Sequence, residues 1–292
     1  MQFSEIGQQL RAYRLESGLR AEEVAARLGV SRAALYRYEK GEVIKLDTIK
    51  RLAELLKISS LSLLGIGVEY FTRPVGFFER LRQVEEAADQ ILQLAGPFCY
   101  VTATDSFESA LQEMMQDIAE QASNDRAAMV AANEQLLGIL AARRRVYAMR
   151  RPNIIAMIST GTVQHFLEAG IGGGIGVSER ARRICRNAAQ QEIEHIAGLM
   201  ESEPMGLQFG LLTGQEPTSR FKILRSRERA SLAINPFRAD THPGNQTGVA
   251  MITSAEEAIN AHQRVAENAW RTAVKGPAGA TRLRQLVAMA GG

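Results

Sequence analysis

Glycines at positions 18, 29 and 41 cut the first 58 residues into short helical runs, and that punctuation limits what this end of the chain can become. Helices shorter than about 12–15 residues are marginal alone in water, so such runs hold only by packing their apolar faces on one another. From a cap at Ser4, the residues Ile6, Leu10 and Tyr13 recur at close to helical spacing until Gly18. Val24, Ala25 and Leu28 share a face of a second run that Gly29 ends. Leu35 and Tyr38 line the buried side of a third, opened by Ser31 as N-cap and stopped at Gly41. A fourth begins near Asp47 and presents Ile49, Leu52, Ala53, Leu56 and then Ile58, and Leu61 to Leu64 add a short fifth piece. The pattern predicts a compact all-α unit of about five helices over residues 1–65.

The join within residues 24–39 narrows this further. Ala25, Gly29 and Val30 supply a small residue, a flexible residue and an apolar plug, which let two short helices pack closely and steeply. That is a helix-turn-helix, whose second helix enters the major groove of DNA. The outward face of that helix carries Arg32, Ala33, Tyr36, Arg37 and Lys40, residue types suited to phosphates and base edges. Arg32 and Arg37 are each either a bidentate reader of guanine or a phosphate contact that carries no sequence information. Charge points to the same place. The formal net charge is +3, and residues 1–68 hold all of the excess, with eleven Lys and Arg against eight Asp and Glu, while the remainder is neutral. So small an excess marks only where a polyanion is met.

The runs IGQQLRAYRLESGL, EEVAARLGVSRAALYRYEKGE and LDTIKRLAELLKIS together resemble the Cro/phage-repressor (Xre-type) helix-turn-helix domain, over about residues 5–64. The resemblance implies that Ser31 caps the recognition helix and touches a phosphate. It also implies that Arg32, Ala33, Tyr36 and Arg37 face base edges, that Lys40 reaches the DNA backbone, and that Arg14 and Glu39 pair inside the domain. One departure stands out. The family often opens its second helix with Ser or Thr followed by a DNA-clamping Gln, where this chain has Arg20 and Ala21, so Arg20 takes over the phosphate contact. A domain this small reads few base pairs, so a homodimer on a two-fold site in double-stranded DNA is implied.

Beyond it, IGVEYFTRPVG at 66–76 holds two glycines and a proline and reads as a linker. Residues 77–292 then alternate elements. A helix is expected over 77–94, with Phe78, Leu81, Val84, Ala88, Ile91 and Leu92 apolar, then a strand at 98–102 and helices at 106–122 and 125–149. A strand at 153–159 follows Pro152, with helices at 160–169 and 178–201 after it. Strands are expected at 205–212, 220–225, 229–235 and 247–253, and helices at 254–274 and 279–289. This order predicts an α/β or α+β domain with a mixed sheet.

Catalytic signatures are sparse in that domain. GIGGGIGVS at 170–178 lacks both the Lys-Ser/Thr of a phosphate loop and the GxGxxG spacing, so it reads as a flexible loop feeding a helix capped by Ser178, whose end could hold an anion. Glu192 and His195 share a helix face without completing HExxH or HxxEH, because position 191 is Gln, and no metal is expected. No GxSxG elbow exists. Cys99 and Cys185 stand outside any CxxC spacing and read as small buried hydrophobes, although the arginines around Cys185 leave redox sensing open. Arg220 and Lys222 alternate with Phe221 and Ile223 and so share one sheet face. That face is either solvated and paired with Glu228 and Asp240, or, together with Arg143, Arg144 and Arg145, a pocket for an anionic ligand.

No run reaches the roughly 18 apolar residues of a membrane span, the start lacks a secretory pattern, and two cysteines suit a reducing cytoplasm. The expectation is a cytoplasmic, sequence-specific DNA-binding transcriptional regulator without a cofactor, not an enzyme. Residues 77–292 would serve dimerisation and bind a small-molecule effector. An enzyme with a DNA-binding appendage and an antitoxin-like interaction module are the competing readings.

Overall fold

The computed structural model describes residues 3–64, 67–94, 96, 98–121, 126–174, 176–238, 241–242, 244 and 246–290. Four helices, α1 (Phe3–Ser17), α2 (Ala21–Leu28), α3 (Arg32–Glu39) and α4 (Leu46–Leu56), and the short α5 (Ser60–Leu63) build the N-terminal unit. Leu10, Val24, Leu35, Leu52 and Leu63 meet at its centre, each with its side chain shut off from solvent. The cap expected at Ser4 lies on a side chain outside the described residues.

The larger part is a mixed eight-stranded sheet in the order β1-β7-β6-β5-β2-β3-β4-β8. Its strands are β1 (Val68–Phe71), β2 (Gln90–Leu94), β3 (Asn153–Ser159), β4 (Leu207–Leu212), β5 (Phe221–Arg225), β6 (Ala230–Ile234), β7 (Ala250–Thr253) and β8 (Val274–Lys275). Strands β2, β3 and β4 run parallel, and the other pairings are antiparallel. One face packs on α6 (Pro74–Ala87), α7 (Asp105–Gln121), α8 (Arg126–Arg150), α9 (Thr160–Ala169), α10 (Glu179–Ser202) and α12 (Gly276–Ala290). The other is covered by α11 (Glu256–Thr272). Successive strand residues point to opposite faces, so Ile154, Ala156 and Ile158 join the large core while Met157 joins the small one beneath α11.

Three segments depart from the sequence reading. Residues 66–76, expected as a linker, carry β1, which pairs with β7 from Val68↔Thr253 to Phe71↔Ala250, and the start of α6. The helix expected over 77–94 stops at Ala87, Ala88 turns extended, and 90–94 become the central strand β2. An apolar run such as QILQL suits a helix or a strand buried on both faces, and pairing with β3 and β5 decides for the strand. The strand expected at 98–102 is instead a 3₁₀ turn, Tyr100–Thr102. Its apolar side chains fill the core beside α7 and α8, and Phe98 packs 4.7 Å from the ring of Phe107, so burial overrides strand propensity.

The N-terminal unit is docked, not tethered. Its core and that of the sheet form one continuous apolar cluster, with Tyr13 stacked on Phe71 at 5.5 Å between ring centroids. Beside the stack, the buried Glu69 accepts from Gln9 Nε2 at 2.8 Å and from Arg80 Nε and Nη2 at 2.7 and 3.0 Å. Arg11 donates to Glu79 at 2.8 Å, and Gln83 Nε2 donates to the carbonyl of Gln8 at 3.1 Å. Glu16 closes the seam by accepting from the backbone of Thr72 and Arg73 at the start of α6. Gly76 permits that approach, since a Cβ there would lie 2.9 Å from the Glu16 backbone.

A second buried ionic group holds the sheet to its helices. Glu85 of α6 accepts from Arg143 Nε and Nη2 of α8 at 2.6 and 3.0 Å and from Lys222 Nζ of β5 at 2.9 Å. Burial alone would raise the Glu85 carboxyl, but Arg143 and Lys222 overcome it and hold it at about 2. The stabilisation from its depressed pKa is present above about pH 4.5, the group's ordinary value, and is lost as pH falls towards 2. Glu85→Gln should cost about 3–5 kcal/mol, because it strands two buried cations. In urea titrations repeated down the acid range, the variant's stability should fall less steeply than the wild type's.

Candidate nucleic-acid interface

Two helix ends and one turn set the geometry of the basic face. Gly29 takes a left-handed φ of 71° after α2, which brings Val30 N onto the carbonyl of Ala25 at 3.0 Å and turns the chain into α3. Ser31 Oγ accepts from Ala34 N at 3.1 Å and caps α3. Arg20 stands at the N-cap of α2 without a capping side chain; Glu23 compensates by accepting from Arg20 N at 2.7 Å. Arg51 Nη2 donates to the carbonyl of Leu28 at 3.0 Å and ties α4 to the end of α2.

Arg14 Nε donates to Glu39 Oε1 at 2.5 Å and Arg14 Nη2 to Glu39 Oε2 at 3.1 Å, both side chains buried. The fork fastens α1 to the C-terminal end of α3 and fixes the roll of that helix. Leu35 is thereby buried, and Tyr38 is half-buried, less than its apolar spacing suggests. On the opposite side Ser31, Arg32, Ala33, Arg37 and Lys40 are exposed and Tyr36 is half-buried.

The exposed cations are not bare. Arg32 Nη1 lies 2.7 Å from Glu22 and its guanidinium sits 5.3 Å from the centre of the Tyr36 ring, with Nη2 donating to Tyr36 Oη at 3.2 Å. Arg37 Nε lies 3.2 Å from Glu42, and Arg20 Nη2 lies 3.7 Å from Glu23. Exposed pairs of this kind are worth about 0–1 kcal/mol, so a phosphate or a guanine edge can replace the carboxylate at little cost. Sequence reasoning missed Glu22 and Glu42, whose only signal was proximity to a basic helix.

Residues 5–61 match the family model described as a helix-turn-helix domain. The chain therefore carries the fold of DNA-binding regulators at its N-terminus. A search of curated proteins finds no match for the chain. Within the matched region, α2 and α3 are the two helices joined by the turn at Gly29, and the outward face of α3 carries Arg32, Arg37 and Lys40.

The other candidate residues fall elsewhere. Arg143 and Lys222 do come together, but on Glu85, so neither is available to a ligand and the β5 face is buried rather than solvated. Arg220 accepts from Asn235 N through its carbonyl at the end of β5. Asp240, its suggested partner, lies outside the described residues. Arg144 pairs with Asp105 at 2.8 Å and with Glu108, and lines a surface cleft together with Arg145. At the end of the glycine-rich loop, Ser178 caps α10 as expected, and the anion at that helix end is the chain's own Asp117, which accepts from Ser178 N at 2.7 Å. Glu192 accepts from Thr104 N at 3.0 Å and His195 Nε2 lies 3.2 Å from the carbonyl of Thr102, so both serve the 3₁₀ turn and the start of α7. Cys99 and Cys185 are buried, and burial pushes both thiols up, Cys185 to about 11, away from the reactive thiolate range.

The Arg14–Glu39 fork separates fold from contact. Glu39→Ala leaves a buried guanidinium unpaired and should cost about 3–5 kcal/mol in denaturant unfolding. Arg37→Ala, at an exposed position, should change stability by no more than about 0.5 kcal/mol.

Proposed function

We propose that the chain is a cytoplasmic, Xre-type transcriptional regulator that binds a specific operator in double-stranded DNA as a homodimer, under the control of a small effector held by the sheet domain. The observation that carries this is the exposure of Arg32, Ala33, Arg37 and Lys40, with Tyr36 half-buried among them, on a capped, rigidly oriented α3 inside a matched helix-turn-helix domain. Ser31 and Arg20 supply phosphate contacts at the starts of α3 and α2, where helix amides and dipole favour an anion. One such unit covers few base pairs, so two copies on a two-fold site supply the affinity.

Docking gives the control its physical form. Because α1 is packed on β1 and α6, the spacing of two recognition helices in a dimer follows the geometry of the sheet domains. An effector shifts operator affinity only if it binds the two spacings unequally. The buried, unpaired Cys99 and Cys185 suit a reducing compartment.

Selection of bound sequences from a random duplex library, followed by fluorescence anisotropy on the recovered site, tests the proposal. The wild type should recover a two-fold sequence, and affinity should fall steeply as salt rises. Arg32→Ala with Arg37→Ala should abolish specific binding while thermal unfolding stays nearly unchanged. Retained affinity in that double variant would sink the assignment of α3.

A further inference from the structure

Several cationic sites and helix starts in this fold are filled by the chain's own carboxylates. Glu85 neutralises Arg143 and Lys222, Asp117 occupies the start of α10, and Glu216 takes the start of α9, accepting from Gly161 N at 2.9 Å and from Ser159 Oγ at 2.8 Å. A cleft of about 620 Å³ opens between the C-terminal half of α8, the 3₁₀ turn and the loop that follows α10. Its volume falls in the range that takes a small metabolite. Arg145 and Arg151 both line it, and neither side chain has an ion pair or hydrogen bond among the described residues. Arg144 and Glu108 also line the cleft, and there Arg144 is neutralised by Glu108 and by Asp105.

Arg151 is also held at a cost. Its φ is 45°, in the left-handed region, where an unbranched glycine or an asparagine is the usual occupant after a helix. Its N–H closes α8 by donating to the carbonyl of Tyr147 at 2.8 Å, a role that glycine would fill without strain. Backbone strain at a residue whose side chain has no ion pair or hydrogen bond among the described residues points to something outside the fold. The rest of the lining sets the shape of the occupant. Val101, Ala103, Leu199 and Leu207 give an apolar floor, and the Tyr147 phenol adds a donor near Arg151.

We propose that this cleft binds a small organic anion, a phosphate monoester or a carboxylate on an apolar body, with Arg145 and Arg151 gripping the charged group. As the effector site of the regulator it rests on the reading above; as an anion site it stands on its own geometry. The route between them is a chain of contacts. Arg143, on the same helix as Arg145, binds Glu85 of α6, and α6 holds α1 through Arg80 and Glu69.

Calorimetry on the DNA-free full chain with phenyl phosphate, phenylacetate and the neutral benzyl alcohol tests the site. One equivalent of at least one anion should bind, and benzyl alcohol at least tenfold more weakly. Arg145→Ala and Arg151→Gly should each weaken the anion at least tenfold, and Arg151→Gly should melt no lower than the wild type. Preference for phenyl phosphate or for phenylacetate distinguishes the two head groups. Absence of binding by both anions, equal binding of benzyl alcohol, or wild-type affinity in both variants would overturn the proposal. These readouts need no DNA, so a failure of the operator assay leaves them intact. The wild type's operator affinity should shift with the anion, and that of Arg145→Ala should not.

Discussion

Glu69 sits at the seam between the helical unit and the sheet, on an edge strand, with a fork of Arg80 on one side and the amide of Gln9 on the other. A buried carboxylate is tolerable only when its charge is balanced and its oxygens are occupied, and here both partners arrive only if α1 and α6 are in register. The stacking of Tyr13 on Phe71 has no such directional demand, so it contributes apolar burial while the ionic group sets the angle. This seam makes the helical unit, and the basic helix α3 with it, a rigid part of the molecule. Glu39 relays the orientation of α1 to α3 through Arg14, and Glu16 ties the end of α1 to the start of α6.

The same chemistry has opposite consequences at the surface. Arg32 with Glu22 and Arg37 with Glu42 are ion pairs of similar length to the buried ones, yet water screens them and they cost little to exchange. Depth, not distance, separates the arginines that hold this chain together from those that an outside anion can reach. Arg14, Arg80 and Arg143 belong to the first group, and Arg32, Arg37, Arg145 and Arg151 to the second.

Much of the helical unit was legible because short amphipathic runs bounded by glycines have few alternatives. The ends of α2 and α3, the cap at Ser31, and the helices 160–169 and 178–201 lie within a residue or so of their sequence positions. The linker at 66–76, the helix end near 87 and the turn at 100–102 were not legible, since strand pairing and core filling are decided by residues far away in sequence. The candidate site divides in the same way. Residue type and helical spacing pointed to Arg32, Arg37 and Lys40, whereas the burial of Arg143 and Lys222 depended on a glutamate 58 and 137 residues distant.

By itself the sequence determined a helix-turn-helix and the residues on the outer face of its second helix, because periodicity and caps act within a few turns of chain. Only the tertiary structure decided that this unit is fused to the sheet domain and which basic residues remain unspent. Both depend on which carboxylates come within reach of which cations once the apolar core has closed, and local pattern carries no record of that.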